Sequence, residues 1–192
     1  MEAQTQAVFI FDPESHRYTV NGAEIPSVTQ VLKEAGLTKE YSSMEAAERG
    51  TVVHLACECA DLGINVTDLI VDPYVTAWRR FRSETGFTHS DIENASWHPV
   101  YRYAGRIDRV GGANGKKIVL DIKSGAPEPW HALQLAAYAG LMAKPLAWER
   151  WAVYLADDGS YSVREYPKAM HLQDFSTFLN ALAITNWKRR LL

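Results

Sequence analysis

The stretch from Tyr103 to Ser124 constrains this chain more than any other. It reads Tyr-Ala-Gly-Arg-Ile-Asp-Arg-Val, then Gly-Gly-Ala-Asn-Gly-Lys-Lys, then Ile-Val-Leu-Asp-Ile-Lys-Ser. Two runs rich in Val, Ile and Tyr flank a loop of Gly, Asn and Lys, the pattern of antiparallel strands joined by a short turn. Side chains alternate along a strand, so Ile118, Leu120 and Ile122 share a core face while Val119, Asp121 and Lys123 share the other. Asp108, near the end of the first strand, approaches Asp121 and Lys123 across the hairpin. Two acids and one lysine collect around one point.

Carboxylates placed that close raise one another's pKa unless a cation sits between them, which suits Mg²⁺ or Mn²⁺ with their preference for oxygen ligands. A lysine beside such an ion steadies an attacking water or the charge developing on a phosphate. The competing reading is a surface hairpin whose Asp and Lys form an exposed cross-strand pair worth roughly a few tenths of a kcal/mol. The rest of the chain decides between the two.

At 192 residues, 47% hydrophobic and 22% charged, the composition is that of a soluble globular protein, read as a single domain over 1–192. In it a β-hairpin and helix, about residues 1–36, form a leading segment. No apolar run approaches the ~20 residues of a membrane span. The opening Met-Glu-Ala-Gln-Thr-Gln lacks the basic and apolar regions of a signal peptide, so the expectation is a cytoplasmic protein with no membrane partner. Cys57 and Cys59 fall in a helix, point to different faces and are expected to pack rather than bridge. The net charge of −3 argues against broad coating of nucleic acid, yet an enzyme acting on DNA needs only a local basic groove. Candidate patches are Arg79, Arg80 and Arg82; Arg102, Arg106 and Arg109; Lys116 and Lys117; and Lys188 to Arg190. Each is more often a solvated face, and the last also suits a helix C-terminus.

Val8 to Asp12 and His16 to Val20 read as short strands, after which Ser27 caps a helix with Val28, Val31 and Leu32 inward. Ser43 is expected to cap a second helix whose buried stripe is Ala46, Gly50, Val53, Cys57 and Ala60. His54 and Glu58, one turn apart beside that stripe, either pack or look into a cleft. Asp72-Pro73 starts a third helix with Asp72 as cap, Val75, Trp78 and Phe81 inward, and Gly86 as its stop. A strand follows from Asp91 to Trp97, in which Glu93 reads as an exposed charge, with the cleft as its alternative. Trp130 to Ala143 is a helix apolar nearly all round, hence buried. Its polar exceptions, Gln134 and Tyr138, either hydrogen-bond inside the core or face the cleft. A second hairpin around Asp157-Asp158-Gly159 and a helix from about Leu172 complete the chain.

Four motifs stand in order: Arg-Gly-Thr-Val-Val-His ending in His54, Ala-Gly-Arg-Ile-Asp ending in Asp108, Asp121-Ile122-Lys123, and Gln134-Leu135-Ala136-Ala137-Tyr138. In that order they resemble the PD-(D/E)XK nuclease superfamily, specifically its RecB-like exonuclease branch, which includes phage enzymes. The resemblance spans the middle half of the chain. The early His-Arg-Tyr-Thr-Val-Asn-Gly and Ile-Pro-Ser-Val-Thr also look like the leading segment of phage members.

The resemblance implies an α/β fold with a restriction-endonuclease-like core, a central mixed sheet flanked by helices. It implies a nuclease that hydrolyses DNA phosphodiesters with Mg²⁺ or Mn²⁺, as an exonuclease in recombination, repair or phage replication. His54, Asp108, Asp121 and the Ile122 carbonyl would hold metal; Lys123 would orient water and offset phosphate charge; Gln134 and Tyr138 would position the strand. Ser124 and Arg106 would contact substrate, Ser124 serving equally well as a turn cap. Many relatives carry an iron–sulfur cluster on four cysteines; two cannot supply that set, so none is expected. The helicase portion of large relatives is also missing, leaving unwinding to a helicase or strand-annealing recombination partner. The alternatives are a non-cleaving DNA-end-binding or recombination-accessory protein on the same fold, and a metal-dependent endonuclease.

Overall fold

Two consecutive residues of positive φ, Asn114 at 51° and Gly115 at 74°, reverse the chain at the centre of the molecule. Asn-Gly accommodates that conformation at both positions, which makes a two-residue hairpin turn of the hand that matches strand twist. The computed structural model describes residues 7–38, 44–65 and 70–191, with 44–47 by backbone only. The turn joins β5 (Ala104–Ala113) to β6 (Lys116–Lys123), paired antiparallel from Ala113 with Lys116 to Arg109 with Leu120. The expected seven-residue loop thus shrinks to two, and Gly111 and Gly112 belong to the strand. Their lack of a side chain lets backbones approach: a Cβ on Gly111 would stand 2.1 Å from the Thr88 carbonyl oxygen.

The main sheet runs β4-β5-β6-β7-β8, with β4 (Thr88–Trp97), β7 (Trp148–Leu155) and β8 (Tyr161–Tyr166). Only the β6–β7 pair is parallel, and a parallel neighbour requires a crossover, supplied by a helix, α4 (His131–Gly140). That helix ends three residues before the expected Ala143. Lys144 takes a left-handed φ of 55° and Pro145 opens a short 3₁₀ turn that leads into β7. The strand expected from Asp91 begins three residues earlier, at Thr88.

Helices cover both faces of the sheet, so the expected α/β architecture with a central mixed sheet is what the chain adopts. Ile118, Leu120 and Ile122 pack with Trp78 and Phe81 of α3 (Asp72–Thr85) and with Val53 and Cys57 of α2 (Met44–Asp61). Val119 faces the other way, against α4, α1 (Val28–Glu34) and Phe178 and Leu182 of α5 (His171–Arg189). The alternation read from the sequence holds, and the second face is buried as well. Among the described residues no helix is long and apolar enough to cross a membrane.

The N-terminal part forms a separate three-stranded antiparallel sheet of β1 (Phe9–Asp12), β2 (Arg17–Val20) and β3 (Ala23–Ile25). The third strand was not expected; another Asn-Gly turn, Asn21 and Gly22 with φ of 52° and 77°, folds it back. Ser27 caps α1 in a full capping box with Gln30. Asp72 is not the cap of α3: Val71 holds that position and Asp72 is the first helical residue, its charge at the positive end of the helix dipole. Gly86, left-handed at φ 67°, closes α3 as expected. The proposed cap at Ser43, the side chain of Ala46 and the opening six residues lie outside the described residues.

Candidate metal centre

The site forms where β5 and β6 part. Arg109 with Leu120 is the last cross-strand pair, and beyond it Asp108 Oδ2 accepts the Ile122 N–H at 2.7 Å. A side-chain carboxylate replaces the backbone partner that β5 no longer offers. In a strand the N–H and C=O of one residue point the same way, so the Ile122 carbonyl opens into the same gap.

Asp121 is 1% exposed. Lys123 Nζ lies 2.5 Å from its Oδ2 as an ion pair, and among the described residues no other group donates to this buried oxygen. Burial pushes the Asp121 carboxyl up to about 6 against the pull of the Lys123 ammonium, and the Asp108 charge adds to the rise. Lys123 also donates to Gln134 Oε1 at 2.9 Å, while Gln134 Nε2 donates to the Tyr138 hydroxyl at 3.1 Å. The two alternatives for Gln134 and Tyr138 therefore merge. Both side chains are buried, and through Lys123 they form one chain of contacts with Asp121.

From α2, His54 brings Nδ1 to 3.4 Å from Asp108 Oδ2. From β4 comes Glu93, and here the sequence reading needs correction: its side chain is 12% exposed rather than a solvated strand charge. Ile92 pairs with Arg109 and Asn94 with Ile107, so Glu93 stands opposite Asp108. Its φ is 50°, a rare backbone state for glutamate. Arg106 Nε reaches Glu93 Oε2 at 2.8 Å and Arg109 Nη1 reaches Oε1 at 3.3 Å. Burial first, then the Asp108 charge, pushes the Glu93 carboxyl up to about 7 despite both guanidiniums. The local pattern leaves Glu93 open between solvent and cleft, and the register of two strands decides for the cleft.

His54, Glu93 and Asp108 offer ligand atoms that lie within 4.8 Å of one another. The expected set of His54, Asp108, Asp121 and Ile122 thus gains Glu93, and Asp121 stands beside the trio rather than within it. The donors fit a small hard cation. They are carboxylate oxygens with one imidazole, two like charges face each other across a strand pair, and the buried Asp121 carboxylate stands beside them with the Lys123 ammonium against it.

No protein-family model matches the sequence, and no curated protein matches it. Solved structures that align with it include SSO0001, at 19% identity and TM-score 0.36, over 77% of this chain and 65% of that one. An alkaline exonuclease from Laribacter hongkongensis, LHK-Exo, aligns at 17% identity and TM-score 0.33 over 86% of this chain and 92% of its own. LHK-Exo in complex with dAMP aligns at 18% and 0.32, over 87% and 93%. At these scores the alignments decide nothing about chemistry, which rests on the side chains.

The remaining expected residues divide. Ser124 lines a cavity of about 420 Å³ with Arg49, Tyr154 and Ser162. Arg106 spends its Nε on Glu93 and lies over the Phe11 ring at 5.5 Å. Several basic candidates serve the fold instead: Arg109 is fully buried, Arg80 pairs with Glu84, and Arg189 forks onto Glu34. Cys57 packs in the core, its thiol pushed up to about 12 by burial.

Proposed function

We infer that this chain is a divalent-metal-dependent nuclease that hydrolyses DNA phosphodiester bonds, acting on linear DNA as an exonuclease. The observation that carries the reading is the convergence of His54, Glu93 and Asp108 beside the buried Asp121 carboxylate, with Lys123 paired to it at the same point. His54, Glu93, Asp108, Asp121 and the Ile122 carbonyl would hold Mg²⁺ or Mn²⁺. When bound, such an ion polarises a phosphoryl oxygen and stabilises the charge that develops on it.

The chain's own residues supply the rest. Lys123, 16% exposed, is gripped between Asp121 and Gln134 and backed by the Trp130 ring at 5.2 Å, so its ammonium is preplaced to meet an anionic phosphate. Gln134 keeps Lys123 from collapsing wholly onto Asp121, and Tyr138 keeps Gln134 in that rotamer. Ser124, the residue after β6, would contact the substrate strand. Any unwinding would come from a helicase or strand-annealing partner.

End-labelled linear duplex, linear single strand and closed circular DNA, each with Mg²⁺, Mn²⁺ or EDTA, test the reading. Shortening of linear DNA from its ends, abolished by EDTA, is the expected result. Cutting of the closed circle would make it an endonuclease. Metal-independent cutting, or no cutting of any form by folded protein, would overturn the assignment.

A further inference from the structure

A second group of charges adjoins the metal centre on the side of the sheet covered by α3. Asp61, at the end of α2, has no exposed side-chain surface and receives three donors: Trp78 Nε1 at 2.9 Å, Arg109 Nε at 2.6 Å, and Arg82 Nη1. Arg109 is equally buried. Its Nη1 donates to the Asp108 carbonyl oxygen at 2.6 Å and reaches the Glu93 carboxylate, while its guanidinium lies 5.6 Å over the Trp78 ring. The charges alternate from Arg82 through Asp61 and Arg109 to Glu93, drawing on α3, α2, β5 and β4.

Stability alone does not account for this arrangement. Removing ions from water is costly, and well-packed apolar side chains of similar volume often replace a buried ion pair with no loss or with a gain. Here one nitrogen of each arginine, Arg82 Nε and Arg109 Nη2, is buried without a hydrogen bond. What the network provides is direction: a guanidinium held through Nε by Asp61 turns a single nitrogen, Nη1, to the Glu93 carboxylate and to the backbone carbonyl of Asp108, which stands opposite Glu93. We propose that Arg109, locked by Asp61, is a positioning residue that sets the Glu93 carboxylate and the Asp108 backbone for the ion. The role rests on the metal-binding reading above, and it belongs to the outer contacts that orient ligands, whose loss typically weakens metal binding about 10- to 100-fold.

Mn²⁺ titrated calorimetrically into DNA-free protein tests it, with circular dichroism melts to establish that each variant is folded. The double variant Asp61→Leu/Arg109→Met replaces the pair by apolar side chains and leaves the half-exposed Arg82 free to reach water. It is expected to fold and to bind Mn²⁺ about 10- to 100-fold more weakly than the parent. Arg109→Lys, the milder change, keeps a cation beside Asp61 but cannot span Asp61, Glu93 and the Asp108 carbonyl at once; it is expected to weaken binding less. Arg150→Met removes an equally buried arginine, paired with Asp174 at 2.8 Å on other elements, and is expected to leave the Mn²⁺ affinity unchanged. Folded Asp61 and Arg109 variants with the parent's affinity would overturn the positioning role while the metal reading stands, as would an equal loss in Arg150→Met. Should the double variant fail to fold, Arg109→Lys alone decides on the same criterion. A parent that binds no Mn²⁺ would overturn the metal reading and the positioning role together.

Discussion

Asp108 Oδ2 accepts the Ile122 N–H at 2.7 Å, so one carboxylate both closes the gap between two diverging strands and faces the metal centre. Asp108→Asn keeps an oxygen for that bond and is expected to fold with little loss. Asp108→Ala orphans a buried N–H and should cost about 1–3 kcal/mol. Both variants should lose most of the Mn²⁺-induced rise in melting temperature, which thermal melts in EDTA and in Mn²⁺ will read.

Asp121→Asn separates the acid's electrostatic cost from its use. Burial disfavours its charge even with Lys123 alongside, so neutralisation relieves that cost when no metal is bound. The variant is expected to melt no lower than the parent in EDTA and to lose nearly all cleavage. It should also gain less from Mn²⁺ than the parent, whose gain follows RT ln(1 + [L]/Kd), about 2.7 kcal/mol at a hundredfold excess. Identical metal-induced shifts in the two proteins would remove Asp121 from the site.

Gln134→Ala leaves the half-buried Lys123 ammonium without its neutral acceptor and the Tyr138 hydroxyl without its donor. The expected cost is about 1–3 kcal/mol of stability with a large drop in cleavage rate. Tyr138→Phe, which removes one hydroxyl, should cost about 1 kcal/mol and impair cleavage less. Denaturant titrations beside single-turnover cleavage distinguish this from simple packing, in which the folded fraction would cut at the parental rate.

Gly105 sits where a Cβ would stand 2.8 Å from Tyr138 Cε1. Gly105→Ala should therefore destabilise by about 1–3 kcal/mol through overpacking and displace Tyr138 from Gln134. A melt of Gly105→Ala against Gly105→Ala/Tyr138→Leu checks the cause: the smaller ring-free side chain should recover part of the loss.

His131 supplies a pH test away from the acids. It is 3% exposed and its Nδ1 lies 2.9 Å from the Tyr154 hydroxyl; burial first, with the Lys123 and Arg164 charges adding, holds the imidazole down to about 3. The unfolded chain takes up a proton near 6.5 and the folded chain does not. Its contribution is thus full above pH 6.5 and is lost as pH falls toward 3, by at most about 1.4 kcal/mol per unit. His131→Asn should show a flatter fall in melting temperature between pH 7 and 5 than the parent.

The four motifs were legible because each is local. The one-turn spacing of Gln134 and Tyr138 puts them on one helix face, and the two-residue spacing of Asp121 and Lys123 puts them on one strand face, whatever surrounds them. Turns were partly legible: the Asn114-Gly115 pair carries the conformational preference that reverses the chain, yet the lysines after it were read as loop because they are polar, whereas pairing with β5 holds them in strand. Glu93 stayed open between solvent and cleft, and Asp61 left no local trace. One depends on which residue faces it across a strand pair, the other on three donors contributed by residues 17, 21 and 48 positions away.

By itself, the amino-acid sequence determined the order of elements from α1 onward, the alternation along β6 with Asp121 and Lys123 on one face, and the buried character of α4, since these follow from side-chain periodicity and short spacings; His54 entered through the motif resemblance. Tertiary structure alone decided that β5 and β6 part at Asp108, that Glu93 joins His54 and Asp108, and that Arg109 is buried against Asp61 rather than offered to DNA. Those outcomes depend on strand register and on the cost of burying charge without a partner, and both are set only when distant segments pack.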